Sequence, residues 1–342
     1  MFGYLGGAEL PFILKEGAQP PLIIAFQILP LIIVFSAIAA LFWHWGVLQW
    51  IVRGLSWALQ KTMGVSGVVG LSGGVNLFLG LVESPLMIKA YLAKISRSEL
   101  FMVMVLAMAT ISGTILILYA QTLSQVLPNA VGHMIAASII SIPAALLIAR
   151  IMVPEKDDVQ TMARIEDTDL KYENSLDAIM RGTLDGVQLL LAVVAVIIVI
   201  FALVALTDQI LLLLPLIDGD PITLRRIFGW IFAPIMWAIG VPWSEAGDAG
   251  ALMGTKVVLN EYVAYLDLAA LEGTFGTRSQ LIVTYALCGV ANLASVGLLV
   301  STISTLCPSR RSDVASLGMK SWVAGNFATM MTGAMIGLIT LI

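Results

Sequence analysis

Long apolar stretches constrain this chain more than any motif does. A membrane-spanning helix needs about 20 mostly apolar residues, within a range of roughly 17–25. Six stretches qualify: 22–45, 98–121, 130–152, 184–206, 281–305 and 317–342. The chain is 59% hydrophobic and only 12% charged, against about 25% charged in a soluble domain. No water-soluble core hides that much apolar surface, so lipid has to cover it. The expected fold class is an all-α polytopic membrane protein. Two further apolar stretches, 64–95 and 224–265, are each broken near the middle by Gly, Pro and a Glu. They read as hairpins that return to the face from which they entered.

Threading the spans in order places the connections alternately on two faces. Of the 18 Lys and Arg residues, only Lys15, Arg225, Arg226, Lys256 and Arg278 fall on one face. The positive-inside rule makes the other face cytoplasmic and puts both chain ends, including the C-terminus, on the periplasmic side. Span, broken hairpin, span, span occurs twice, over 22–152 and 184–342. Three crossings per unit make the second copy inverted, and inverted repeats with discontinuous helices mark secondary transporters. Residues 1–21 read as an N-terminal periplasmic or interfacial segment without the charged region and cleavage site of a signal peptide. The polar stretch 153–183 reads as a cytoplasmic linker. Residues 46–64, with Trp50, Arg53, Trp57 and Lys61, read as an interfacial amphipathic helix.

Glu83 and Glu261 lie in apolar surroundings, where a carboxylate costs about 2.5–3.5 kcal/mol even on the gentlest insertion scale. Each therefore calls for a cation, a donor-rich ligand, a proton or a watered cavity; a packing carboxylate is the competing explanation. Gly73, Gly74, Gly80 and Pro85 punctuate the first hairpin. Ile239-Gly-Val-Pro-Trp-Ser-Glu-Ala punctuates the second, with Gly247, Gly250 and Gly254 after it. Each hairpin precedes a span with a polar, small-residue centre: Ala109–Thr114 in the first copy and Gly289–Ser295 in the second. Asn292 and Ser295, three residues apart, share a helix face if that segment is helical. Alone they would read as interhelical glue; beside two broken hairpins they read as a binding site. His44 and His133 fall near span ends and read as interfacial. Cys288 and Cys307 would stand about 28 Å apart along one helix, too far for a disulfide. No basic stripe suggests nucleic acid, and no phosphate loop or zinc-protease motif is present.

These residues resemble the concentrative nucleoside transporter (CNT) family. The likeness spans almost the whole chain and is strongest at Asn76–Tyr91 with Ser98-Glu-Leu-Phe, at Ala109–Thr114, at Gly240–Ala246 with Asn260–Tyr265, and at Cys288–Ser295 with Arg310-Arg-Ser-Asp. It implies a CNT-like elevator fold, a homotrimer in a bacterial inner membrane, and a nucleoside moved together with a coupling cation. Carried over by position, Glu261, Asn292 and Ser295 would bind ribose. Gly80, Leu81, Val82 and Glu83 would face the base. Asn76 and Thr110, with backbone carbonyls of Leu79, Thr110 and Ile111, would hold sodium. The family often has Gln-Thr where this chain has Leu81 and Val82, so base recognition is expected to differ. The family also carries two more spans and an interfacial helix ahead of the region matching Phe2–Leu10.

The expected activity is thus sodium-coupled nucleoside import, with no organic cofactor. Proton coupling through Glu83 or Glu261 is the close alternative. A non-transporting nucleoside-binding membrane protein and an intramembrane enzyme using the two glutamates are the remaining rivals, and no paired nucleophile and base supports the last.

Overall fold

The computed structural model describes residues 30–124, 126–155, 172–217, 219–271 and 273–340, which are almost wholly helical. The N-terminal segment 1–21, the start of the first predicted span and the middle of the linker lie outside the described residues.

The first copy opens with α1 (Leu31–His44). A 76° bend leads into α2 (Val47–Met63), and Gly46 makes the turn at φ +80°. In α2, Trp50 and Trp57 are exposed and Lys61 lies over the Trp57 ring, giving the expected amphipathic helix. Next come α3 (Gly67–Asn76) and the short α4 (Glu83–Met87). The span after them is split into α5 (Arg97–Ala109) and α6 (Gly113–Leu123), and α7 (Ala130–Met152) closes the copy. The quoted Ser98-Glu-Leu-Phe segment proves to start α5: Glu99 and Ser96 form a reciprocal capping box that satisfies orphan helix N–H groups.

The second copy follows the same order. It runs α8 (Ser175–Leu211), α9 (Leu224–Ala238), and α10 (Trp243–Gly254) continued by a π-helical turn over Thr255–Leu259. Then come α11 (Glu261–Ala270), a second split span of α12 (Thr277–Leu287) and α13 (Leu293–Leu306), and α14 (Arg311–Ile339). By length and composition, four helical segments among the described residues suffice to cross a membrane.

Three expectations need correction. The break at Ile239–Val241 is not the tip of the second hairpin. It is the elbow, bent by 118°, between α9, the counterpart of α2, and the hairpin arm α10. Gly240 sits there at φ +110°, and Arg278 donates to its carbonyl at 2.7 Å. The tip is Asn260, where extended backbone interrupts the helix. The linker also ends sooner than residue 183. Asn174 caps α8 by accepting from the Asp177 N–H, and Arg181 pairs with Asp177 one turn on, so the last polar residues before the span are already helical. Lastly, Lys256, counted on one face from within the 224–265 stretch, is not a surface charge. It is 0% exposed and leaves the charge count for its face, which widens the asymmetry.

Most hairpin glycines serve close packing inside helices rather than loops. Added Cβ atoms at Gly70 and Gly74 of α3 would lie about 3.0 Å from backbone oxygens of α2, and one at Gly250 of α10 would lie 2.6–2.8 Å from backbone of α9. The two hairpin arms therefore lean on their neighbouring helices in the same way. Gly182 and Gly186 do likewise for α8 against α1, where Ser36 and Ala40 receive them; small residues four apart let helix backbones meet without a hydrophobic drive from water. The two split spans touch at their breaks. A Cβ on Gly289 would stand 2.9 Å from the carbonyl oxygen of Ala109, the last residue of α5.

Candidate functional site

Both hairpin tips and both breaks open onto one cavity of about 600 Å³. Its wall includes Asn76, Leu79, Gly80, Leu81, Val82 and Glu83 from the first hairpin, and Asn260, Glu261 and Tyr262 from the second. The split spans add Thr110, Ser112, Thr114 and Tyr119, then Asn292 and Ser295. The size lies within the roughly 300–1,000 Å³ typical of small-molecule sites, whose walls are mostly apolar with a few placed polar groups.

Each broken span restarts at the cavity, because α6 and α13 begin beside it. Asn292 caps α13 by accepting from the Ser295 N–H at 2.8 Å. Its amide N–H₂ remains free to point elsewhere and donates to Glu261 Oε2 at 2.8 Å. Capping thus fixes the Asn292 rotamer, and the rotamer in turn orients the carboxylate. Tyr119 donates its hydroxyl to the other oxygen, Oε1, at 2.8 Å. Glu261 is only 4% exposed and begins α11, whose own cap is Asn260, accepting from the Tyr262 N–H at 2.7 Å. Negative charge at a helix N-terminus is favourable. A carboxylate has about four acceptor positions, and two are used here. The remaining capacity faces a cavity edge that also carries Ser295.

Glu83 is held differently. It is exposed to the cavity, and its carboxylate folds back over Gly80: a Cβ there would lie 2.6 Å from Oε2. Gly80 is thus the residue that lets the carboxylate return over its own tip. Leu81 and Val82 present only hydrocarbon beside it, Val82 with 41% of its surface exposed.

The four residues expected around sodium divide. Asn76 and Thr110 are buried at the cavity and Leu79 lines it, whereas Ile111 is fully buried in the break behind it. The first hairpin tip meets the break directly, since a Cβ on Gly113 would lie 3.4 Å from the Leu77 carbonyl oxygen. Of the expected site residues, only Ile111 is absent from the wall.

Tyr119 and Lys256 escaped sequence reasoning. Tyr119 is the one phenol in the aliphatic run Ile115–Tyr119, and a buried Tyr hydroxyl requires a partner; that was the available signal. Its ring stacks on Tyr262 at 5.5 Å and lies against Tyr265 at 5.1 Å. His133, in the first turn of α7, shares a 3.2 Å hydrogen bond with the Tyr285 hydroxyl and ties α7 to α12. Cys288 and Cys307 are both buried free thiols.

Residues 133–337 match the family described as "Na+ dependent nucleoside transporter C-terminus", and residues 25–126 match "Nucleoside recognition". An uncharacterised transporter of Bacillus subtilis, YutK, is 36% identical over 95% of this chain and 80% of its own length. The nucleoside permease NupC of Helicobacter pylori is 32% identical over 92% of this chain and 75% of its own. The solved structure of CNTnw in an inward-facing substrate-bound state superposes with a TM-score of 0.86, at 38% identity, over 93% of this chain and 76% of that one. These relatives are transporters, which sets the intramembrane enzyme aside. With its matched regions covering most of the described residues and its cavity formed by the two hairpins and two split spans, the chain is a multi-pass membrane protein that belongs to the concentrative nucleoside transporter family.

Proposed function

We propose that this transporter imports nucleosides across a bacterial inner membrane in symport with sodium, by an elevator-type movement of the hairpin-bearing body. The observation that carries this reading is the shared wall of the cavity, where Glu261, held by Tyr119 and Asn292, stands with Ser295 on one side and the Glu83 tip on the other. Ribose hydroxyls donate and accept, so a carboxylate, an amide and a hydroxyl can satisfy them together. Leu81 and Val82 would face the base with Glu83. Both hairpins would be re-entrant, with the first entering from the cytoplasm and the linker on that side. A homotrimer is the assembly that the family resemblance implies, and the exposed apolar face of α8, including Leu191, Ile198, Phe201 and Leu206, is the surface available to lipid or to a second copy.

Sodium would sit between the first hairpin tip and the α5–α6 break, near Asn76 and Thr110, taking carbonyl oxygens of Leu79, Thr110 and Ile111. Hard cations prefer oxygen ligands, and the C-terminal end of a half-helix favours positive charge. No group of three His, Cys, Asp or Glu side chains that could hold a metal exists among the described residues, so neutral oxygens would have to serve. Uptake of labelled uridine and adenosine into proteoliposomes tests the reading. A sodium gradient is expected to drive accumulation at least about 10-fold above a choline control at constant pH. Equal uptake in choline with acceleration by an inward proton gradient would assign the coupling to a carboxyl group, with Glu83 facing the cavity as the first candidate. Nucleoside binding without uptake in either gradient would reject transport.

The apolar pair leads to a specificity prediction. Leu81→Gln with Val82→Thr introduces hydrogen-bonding groups beside the base. A polar site discriminates between bases far more strongly than an apolar one, so the uridine-to-adenosine ratio of kcat/KM is expected to shift by about 10-fold or more. An unchanged ratio would remove these two positions from base recognition.

A further inference from the structure

The buried lysine of the second hairpin has no place in the site described so far. Lys256 lies in the π-helical turn that ends the hairpin arm and is 0% exposed. Its ammonium donates to the Thr329 hydroxyl of α14 at 2.7 Å and to the Ala286 carbonyl at 3.3 Å. It forms no ion pair among the described residues. An ammonium taken out of water is costly unless something in the fold uses its charge.

The internal repeat supplies the use. In the first copy, the tip after arm α3 meets the α5–α6 break, where the Leu77 carbonyl would lie 3.4 Å from a Cβ on Gly113 and Asn76 and Thr110 line the cavity. In the second copy, the end of arm α10 meets the break where α12 stops, and the atom found at that meeting point is Lys256 Nζ. Ala286 belongs to the last turn of α12, so its carbonyl lies at the negative end of a half-helix, where a cation is favoured. Thr329 of α14 adds a neutral hydroxyl oxygen.

We infer that the Lys256 ammonium is a tethered cation, occupying in the second copy the position that a sodium ion takes in the first. This rests on the sodium reading above. One copy would hold an exchangeable cation and the other one that is covalently tethered. The cavity carboxylates Glu83 and Glu261, taken with Lys256, would then leave a single negative charge for one sodium ion to balance as the body crosses.

The test uses the purified full chain in detergent, titrated with sodium chloride or choline chloride while its thermal unfolding is followed, together with uptake in proteoliposomes. The wild type is expected to show one saturable sodium-dependent rise in Tm. Lys256→Ala empties a small oxygen-lined space, so it should unfold early in choline and show a second sodium-dependent rise, as binding to the folded state requires. Where it transports, the sodium Hill coefficient should move from about 1 toward about 2. Lys256→Gln keeps an N–H donor for Thr329 and Ala286 but removes the charge. A merely structural latch would be satisfied by glutamine, so wild-type sodium dependence and uptake in that variant would overturn the inference. Equal destabilisation of Lys256→Ala in both salts, or failure of both variants to fold in sodium as in choline, would overturn it too. Absence of any sodium effect on the wild type would remove the sodium reading, while the sodium-versus-choline difference in Lys256→Ala would still decide for or against a cation position at residue 256.

Discussion

Glu261→Gln is expected to raise KM for uridine and adenosine by about 100-fold or more, with the protein still folded. The carboxylate accepts two hydrogen bonds from within the protein, from Tyr119 on Oε1 and from Asn292 on Oε2. An amide can accept from only one of these donors; its N–H₂ then confronts the other. Asn292 cannot simply turn over, because its oxygen caps α13 at the Ser295 N–H. The substitution therefore strands a buried donor, at about 1–3 kcal/mol, and removes a charged acceptor for ribose, at about 1.5–3 kcal/mol. At about 1.4 kcal/mol per factor of ten, the binding loss alone accounts for one to two decades, and misorientation adds to it. Measured uptake kinetics together with a thermal unfolding curve separate this from loss of fold. A KM within about 3-fold of wild type would place ribose elsewhere in the cavity.

The polar participants of this site were legible because lipid makes them conspicuous. A carboxylate at 83 or 261, or Asn292 within an apolar run, has no cheap explanation in a membrane, so sequence alone marked them. The breaks at Thr110–Ser112 and Cys288–Asn292 were legible for the same reason: small polar residues interrupt each span at its centre. Glycine was a poorer guide. Gly240 does mark a turn, but Gly247, Gly250 and Gly254 lie within α10, where at Gly250 and Gly254 the gain is close approach to α9. Both uses look alike in sequence, so glycine alone does not locate the tip of the second hairpin. Lys256 was missed through the opposite error. Positive residues usually mark loops in membrane proteins, and nothing local in Gly-Thr-Lys-Val-Val-Leu reveals that a π-helical turn carries this one inward to Thr329 and Ala286. Tyr119 was hidden because its partner lies 142 positions away.

The crossing of the two breaks gives the other large effect. Gly289→Ala is expected to lower Tm by on the order of 5–10 °C and to cut uptake at least about 10-fold, although it adds only one methyl group. That methyl would stand 2.9 Å from the Ala109 carbonyl oxygen, 3.1 Å from its carbon and 2.6 Å from Thr329 Cγ2. A flexible side-chain tip could withdraw, but the carbonyl belongs to the backbone end of α5 and cannot move without displacing Thr110 and the α5–α6 break. Overpacking of this kind costs about 1–3 kcal/mol or more. Here the strain is delivered to both breaks at once, so the spacing between Thr110 on one side of the cavity and Asn292 on the other is disturbed with it. Gly54→Ala is the control. It lies within α2 with no heavy atom within 4 Å of its added Cβ, and replacing a helical glycine by alanine stabilises by about 0.8–1.0 kcal/mol, so its Tm should hold or rise and its uptake stay unchanged. If Gly289→Ala behaves like this control, the two split spans do not depend on contact at their breaks, and the cavity must be held open by the hairpin arms alone.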